Sequence, residues 1–268
     1  MNGFKKWTLL SAVVLFGGVS QAQEIPLQNL TEQEFKDVVG ELSTNFLHTS
    51  NSGAGTLGSV WGFEFGLVGG ITKTPKIGAL VKRAEPSASA DQIPNAALFG
   101  AVTVPLAITV EATLVPKVGS DKFKYNTMGL AAKWTPSELF FALPVDLGVK
   151  AHLTKTALTF KDTINSVDTT FDYDNTQMGL TFLVSKNFAI VEPYFGLGLV
   201  NSKGDLDVAG STTVFANSYT TGQSASVKRS GMMWMLGGQL KLAVFHFGLE
   251  YTRMYDTSRY TGKLSLAF

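Results

Sequence analysis

From residue 58 onward the apolar and polar positions of this chain alternate with a period of two. In Trp61-Gly62-Phe63-Glu64-Phe65-Gly66-Leu67 the odd positions are large and apolar, while the even ones hold only Gly and Glu. Alternation of this kind puts the two sets on opposite faces of a strand. It recurs over residues 126–134, 145–153, 177–184, 189–200, 229–242, 245–253 and 260–268. In the last of these, Tyr260, Gly262, Leu264, Leu266 and Phe268 share one parity, and the sequence stops on the aromatic ring. One further apolar run, residues 96–115, exceeds the roughly 9–11 residues of a membrane-spanning strand. Pro105 cannot donate a ladder hydrogen bond and belongs at a turn, so the run divides into 96–104 and 107–115. The total is then ten strands, an even number, as bacterial single-chain barrels require.

The connections sort by length in alternation. Residues 74–95, 117–122, 159–170, 203–224 and 255–258 lie at one end; 105–106, 135–143, 186–187 and 243–244 lie at the other. Within 135–143, Pro136-Ser137-Glu138 followed by Leu139-Phe140-Phe141 suits a single helical turn. Outer-membrane barrels pair short periplasmic turns with longer exterior loops. The pattern therefore predicts an all-β fold: a transmembrane antiparallel up-and-down β-barrel of about ten strands in the bacterial outer membrane. A soluble sandwich also alternates, but has no reason to sort its connections in this way.

The amino-terminal region differs. Lys5 and Lys6 precede an apolar run from Trp7 to Val19, and Ser20-Gln21-Ala22 offers the small residues a signal peptidase reads, so residues 1–22 are expected to be a secretory signal peptide. Residues 30–47 predict a helix. Thr31 opens a T-E-Q-E capping box with Glu34, and Phe35, Val39, Leu42 and Phe46 make an apolar stripe. The other face carries Glu32, Glu34, Lys36, Asp37 and Glu41, which suits anionic lipid badly, so the stripe must bury against protein. Residues 23–55 are accordingly expected to form a periplasmic amphipathic helix and linker, packed at the base of the barrel or available to a further copy or a periplasmic partner, and residues 56–268 the barrel.

Composition narrows the function. The 268 residues contain no cysteine, which removes disulfides, a lipid-anchoring cysteine and thiolate chemistry. Three scattered histidines give no metal cluster, and a formal net charge of +1 gives nucleic acid no electrostatic footing, so no metal, cofactor or nucleic-acid partner is expected. The inward parity collects Glu64, Glu111, Asp146, Glu192 and Glu250 with Lys133, Lys150, Lys241 and Lys263, and His152, Gln177, Gln239 and His246 face the same way. Five acids facing four lysines read as a balanced lumen network. The enzymatic alternative is an outer-membrane acyl hydrolase or protease using His152 or His246 with lumen acids. Trp61, Phe63, Phe65, Leu147, Leu197, Trp234, Tyr260 and Phe268 fall on the lipid- or subunit-facing parity, as does Tyr251, and Trp61, Trp134, Trp234, Tyr251 and Tyr260 suit interface girdles. Only Gly231-Met232-Met233-Trp234-Met235-Leu236 breaks the alternation, making both faces apolar, so either the amino-terminal helix packs there or that part of the barrel is filled, and both options narrow the pore.

Several strings resemble a family of porin-like outer-membrane barrels of predatory and related proteobacteria: residues 35–66 (FKDVVGELSTNFLHTSNSGAGTLGSVWGFEFG), LPVDLGVK at 143–150, VEPYFGLGLV at 191–200 and TGKLSLAF at 261–268. The resemblance implies a small non-enzymatic barrel, structural or porin-like, preceded by an amphipathic helix. It also implies assembly into a homo-oligomer, in some members a ring of protomers enclosing membrane lipid, and it brings no catalytic residues. Two features agree with self-association: the helix stripe and the doubly apolar strand at 231–236 both look like surplus apolar surface, although a helix that plugs its own barrel is the alternative use of the stripe.

Overall fold

The computed structural model describes residues 31–58, 60–84, 86–140, 143–164, 167–209, 212–214, 217–219 and 223–268; the expected signal peptide lies outside them. The elements in chain order are α1 (Glu32–Asn45), β1 (Gly62–Lys73), α2 (Pro75–Ala84), β2 (Gln92–Val104), β3 (Ile108–Gly119), β4 (Phe123–Trp134), α3 (Ser137–Phe140), β5 (Asp146–Ile164), β6 (Val167–Ser185), β7 (Val191–Ala209), β8 (Thr212–Val214), β9 (Asn217–Tyr219), β10 (Gln223–Leu242), β11 (Phe245–Met254) and β12 (Thr257–Ala267). Ten of the strands close into a barrel in the order β1-β12-β11-β10-β7-β6-β5-β4-β3-β2, all antiparallel, while β8 and β9 form a separate hairpin. The seam is made by β1 and β12, with Phe65 opposite Leu266 and Leu67 opposite Leu264. Phe63 and Phe268 exchange two backbone hydrogen bonds of 2.8 Å at its lower end.

The expected strands are all present, and Pro105 lies in the β2–β3 turn. Their short-turn ends agree with the sequence to within two residues, but their long-loop ends run further. The β5–β6 ladder continues to Ile164 opposite Val167, across what reads as a loop from 159 to 170. Beyond the membrane the outward face becomes polar, with Lys155, Asp172 and Asp174 replacing Leu and Phe, so the alternation that marks a strand fades although the ladder persists. The 74–95 connection holds α2, begun by Pro75 and ended by Lys82 and Arg83.

The outer wall is apolar over a continuous band. On β10 it runs from Met232 through Trp234 and Leu236 to Leu242, ten residue steps, or about 33 Å of strand and roughly 25 Å of height at the usual tilt. At the short-turn border stand the exposed rings of Trp61, Trp134, Phe140, Phe245 and Phe268, and near the opposite border Trp234, Tyr251 and Tyr260 pack in series as tilted rings with centroids 5.1 Å apart. Such a band on a closed barrel is a lipid-facing surface.

The helix is not beneath the barrel. Its capping box forms as expected, Thr31 accepting from the Glu34 amide and Glu34 from the Thr31 amide. Yet α1 lies inside the wall at the long-loop end, with Phe35, Val38 and Val39 packed against Leu158, Phe171, Tyr173, Leu206 and Val227 from the upper halves of β5, β6, β7 and β10. Ile77, Leu80 and Val81 of α2 close over it. A periplasmic position would leave the stripe without a partner, whereas the tall wall supplies one. From α1 the chain descends through the lumen over residues 46–57, and β1 then starts at the short-turn end.

Two outcomes follow. Leu236→Arg, near the middle of the band, should cost about 2–4 kcal/mol in urea unfolding from vesicles, whereas Leu147→Arg, one residue from the lower end of β5, should cost about 1 kcal/mol or less. Because the chain lacks cysteine, Glu32→Cys provides a single thiol at the exposed start of α1. A membrane-impermeant maleimide should label it on intact cells, while labelling only after permeabilisation would return the helix to the periplasm.

Candidate functional site

The lumen is the place where polar chemistry gathers, and its centre is occupied by the protein's own chain. Residues 46–57 form a strap that is buried throughout from Leu47 to Ala54 and half-buried at its two ends. An extended segment without regular structure must find partners for its backbone, and here the wall supplies them. Lys133 donates to the carbonyls of Gly53 (2.8 Å) and Gly55 (2.7 Å), Thr135 to that of Ala54 (2.6 Å), and Arg259 to that of Leu47 (2.8 Å). The Ala54 amide donates to the Ser185 hydroxyl at 2.9 Å, and the Leu57 amide to that of Thr103 at 3.1 Å.

Side chains of the strap enter the charge network. His48 places Nε2 3.1 Å from Glu111 and Nδ1 3.1 Å from the Thr113 hydroxyl. Lys150 lies 3.7 Å from the same Glu111 and donates to Ser50 at 3.1 Å, while Thr49 donates to Glu250 at 3.1 Å. Elsewhere the wall pairs with itself: Glu64 with Lys263 at 2.7 Å, and Glu192 with Lys241 at 2.6 Å. Lys133 is only 2% exposed and has no carboxylate within 4 Å among the described residues, so the strap carbonyls are its charge-stabilising partners. Burying an unpaired ammonium costs several kcal/mol, so removing the strap would also strand the wall.

Space at the contact points comes from missing side chains. A Cβ on Gly248 would stand 2.6 Å from the Asn51 carbonyl oxygen, and one on Gly129 would stand 3.0 Å from His48 Nδ1. Two cavities that border the strap, of about 10 and 30 Å³, have room for a water or two.

The ten residues expected to face the lumen do so: Glu64, Glu111, Lys133, Lys150, His152, Glu192, Glu250 and Lys263 are buried, with Asp146 and Lys241 half-buried at the lower mouth. Trp61, Phe63, Phe65, Leu147, Leu197, Trp234, Tyr260 and Phe268 are all exposed on the outer wall. Phe35 and Val39 are buried, and Leu42 and Phe46 pack beside them. Met233 and Met235 point inward onto Leu47, Tyr194 and Tyr255, so the break in alternation marks the place where the strap's Leu47 fills the lumen. Both features that looked like surplus apolar surface are thus used inside one protomer, and neither is free to drive self-association.

Sequence reading missed the strap, Arg259 and the α1–α2 latch. In the latch Glu34 pairs with Arg83, and Asp37 with Lys76 (2.8 Å) and Arg229 (3.1 Å). The buried Glu41 carboxylate accepts the Lys76 and Ile77 amides at the start of α2, both at 2.9 Å, and so caps that helix from another element. The signal was available as acids along one helix and Lys-Arg at the end of a second.

Residues 30–261, which span plug and wall together, match the model described as Family of unknown function (DUF6588). The chain belongs to this family. Its matched region begins at α1, so plug and barrel fall within one family unit. No curated protein matches the DUF6588 chain. Among solved structures it is similar to the translocator domain of the autotransporter NalP from Neisseria meningitidis, at 10% identity over 85% of this chain and 91% of that one, with a TM-score of 0.46. It is also similar to the attachment invasion locus protein Ail of Yersinia pestis, at 15% identity over 79% and 100%, TM-score 0.33. A third is the CymD monoaromatic hydrocarbon channel, at 9% identity over 85% and 96%, TM-score 0.35.

In the DUF6588 latch, the hydrogen bond from Arg83, with that from the Thr31 amide, lowers the Glu34 carboxyl to about 2. Burial would raise Asp37, but the hydrogen bond and charge of Lys76 outweigh it and hold the group below its usual value. Carboxyls with depressed folded values contribute stability above their unfolded values and lose it as pH falls through the folded ones. Protection of the α1 amides from hydrogen exchange should therefore hold from neutral pH to about 4.5 and decline as pH falls toward about 2. Protection that falls between pH 7 and 5 would show that other groups hold the latch.

Proposed function

We propose that this protein is a non-enzymatic, self-plugged outer-membrane barrel, structural or porin-like, that works through its outer surface and its assembly rather than through an open channel in each protomer. The observation that carries this is the strap: a ten-stranded lumen, already near the size that side chains fill, also contains an extended chain hydrogen-bonded on several sides. The homo-oligomeric, lipid-enclosing arrangement implied by the sequence resemblance forms the second half of the proposal. With the lumen blocked, the outer surface is what remains open to neighbours and lipid.

The geometry around the two wall histidines supports a non-enzymatic role. Among the described residues His152 Nε2 meets no hydrogen-bond partner. His246 bonds Gln239 at 3.0 Å and lies 3.5 Å from Glu64. The hydroxyl nearest the latter pair, Ser265, donates to Glu64 at 2.5 Å rather than to the imidazole, which inverts the order a nucleophile–base pair needs.

Planar-bilayer recording tests the plug. Single protomers should show a near-silent baseline, and deletion of residues 31–57 should produce a stable current. Lys133→Ala with Arg259→Ala, which removes donors to the strap while keeping it, should give intermittent openings. A large steady current through the intact protomer would contradict the proposal. Native mass spectrometry in mild detergent reports the assembly, and a lipid-free monomer would remove its second half.

A further inference from the structure

The two borders of the apolar band differ in charge. At the short-turn border most exposed groups are aromatic or aliphatic, and the described charged ones each have a partner at this end: Lys186 has its ammonium 5.3 Å from the centre of the Phe188 ring, and the Glu138 carboxylate accepts from the Thr56 amide and hydroxyl. At the long-loop border the outward row of strand after strand ends in a cation, one or two outward positions above its last apolar residue. On β5 Leu153 is followed by Lys155, on β7 Leu199 by Asn201 and Lys203, and on β10 Met232 by Ser230 and Lys228.

The register joins these three. Lys155 stands opposite Thr176, Thr176 opposite Lys203, and Lys203 opposite Lys228. The row continues around the wall with Lys73 on β1, Lys124 on β4 and Arg253 on β11. Like charges placed directly opposite in a sheet repel, and the fold gains nothing internal from Lys203 facing Lys228. Lys203 is balanced by Asp205 at 2.7 Å and Arg253 by Asp256 at 3.8 Å; Lys73, Lys124, Lys155 and Lys228 have no carboxylate within 4 Å among the described residues. Acids do occur on this wall, at Asp172, Asp174, Asp205 and Asp207, but they sit higher on β6 and β7, above the cation row.

We propose that this cationic rim is a recognition surface for the phosphate-bearing headgroups of lipids in the exterior leaflet, with the row Lys155, Lys203 and Lys228 as its centre. A lipid whose chains lie on the apolar band carries its headgroup phosphate at the height of this row. The ammonium groups of Lys155 and Lys228, that of Lys203, which it shares with Asp205, and the hydroxyl of Thr176 then face it, as charge-assisted hydrogen bonding to phosphate oxygens requires. The inference rests on the membrane-barrel reading, but is independent of the plug: a barrel indifferent to headgroup charge would fail here and still be electrically silent.

The test uses the full-length protein in nanodiscs that contain phosphatidylcholine with either a bis-phosphorylated glycolipid or its dephosphorylated counterpart, with bound lipid read by native mass spectrometry after release. Wild type should retain the phosphorylated form preferentially, and retention should fall with added salt. Lys155→Gln, Lys203→Gln and Lys228→Gln together should weaken it on the order of a hundredfold, roughly fivefold per cation. The same three positions changed to Arg should keep it, and Lys186→Gln should leave it unchanged. Equal retention of the two glycolipids by wild type, or retention indifferent to salt, would overturn the proposal whether or not the glutamine variant folds. Equal loss in the arginine and glutamine variants would overturn it too, because charge would then not be what binds.

Discussion

Closing ten strands into a cylinder satisfies every ladder hydrogen bond and creates a volume that must be filled or wetted. Eight strands leave a space that side chains alone occupy, and ten leave somewhat more. In this molecule the excess is taken up by one extended chain. The strap needs donors and acceptors along its whole length, so the wall presents Lys133, Arg259, Ser185 and Thr135 where an empty pore would present them to water. It needs clearance, which the inward positions of Gly129 and Gly248 provide. The placing of α1, the methionines at 233 and 235 and the polarity of the lumen all follow from that one requirement.

The strap and the wall depend on each other. Buried ion pairs contribute little net stability once desolvation is counted, but breaking one partner out of such a network is costly. Glu111 shows how tightly the two parts are joined: it meets His48 of the strap and Lys150 of the wall, and Lys150 in turn meets Ser50 of the strap. The helix above adds a different kind of hold. Its apolar stripe is packed against four strands and α2, and its acids are matched by cations from α2 and β10. The lower part of the plug is thus fixed by polar contacts and the upper part by both kinds.

The membrane-spanning part of the wall was legible because lipid and lumen impose opposite polarities on successive residues. Where that contrast ends, legibility ends: between Lys155 and Asp174 the outward face turns polar while the inward one carries Leu158, Phe171 and Tyr173, the reverse of the lower wall, and the β5–β6 hairpin reads as a loop although its ladder continues to Ile164 opposite Val167. Arg259 was missed because the strand was started at Tyr260, one residue too late to reveal that its guanidinium shares the inward parity. The strap sequence, Leu-His-Thr-Ser-Asn-Ser-Gly-Ala-Gly-Thr-Leu over residues 47–57, has no period and reads as a linker. Parity shows which face a lumen glycine is on, but not that another part of the chain lies against it. The stripe on α1 likewise declared that it needed an apolar partner without saying which one, and the tall wall that supplies it was itself hidden in polar sequence.

The path of the strap also constrains the order in which the molecule can be made. An α-helix with its side chains is about 10–12 Å across, too wide to pass through a lumen that has already closed on its lysines and glutamates. A segment already folded as α1 must therefore be enclosed while the sheet is still an open ribbon, and the joining of β1 to β12 is then the step that captures it. In this architecture the seam is a clasp as well as a pair of strands: the first and last strands to be synthesised meet around a cord that was laid down before either.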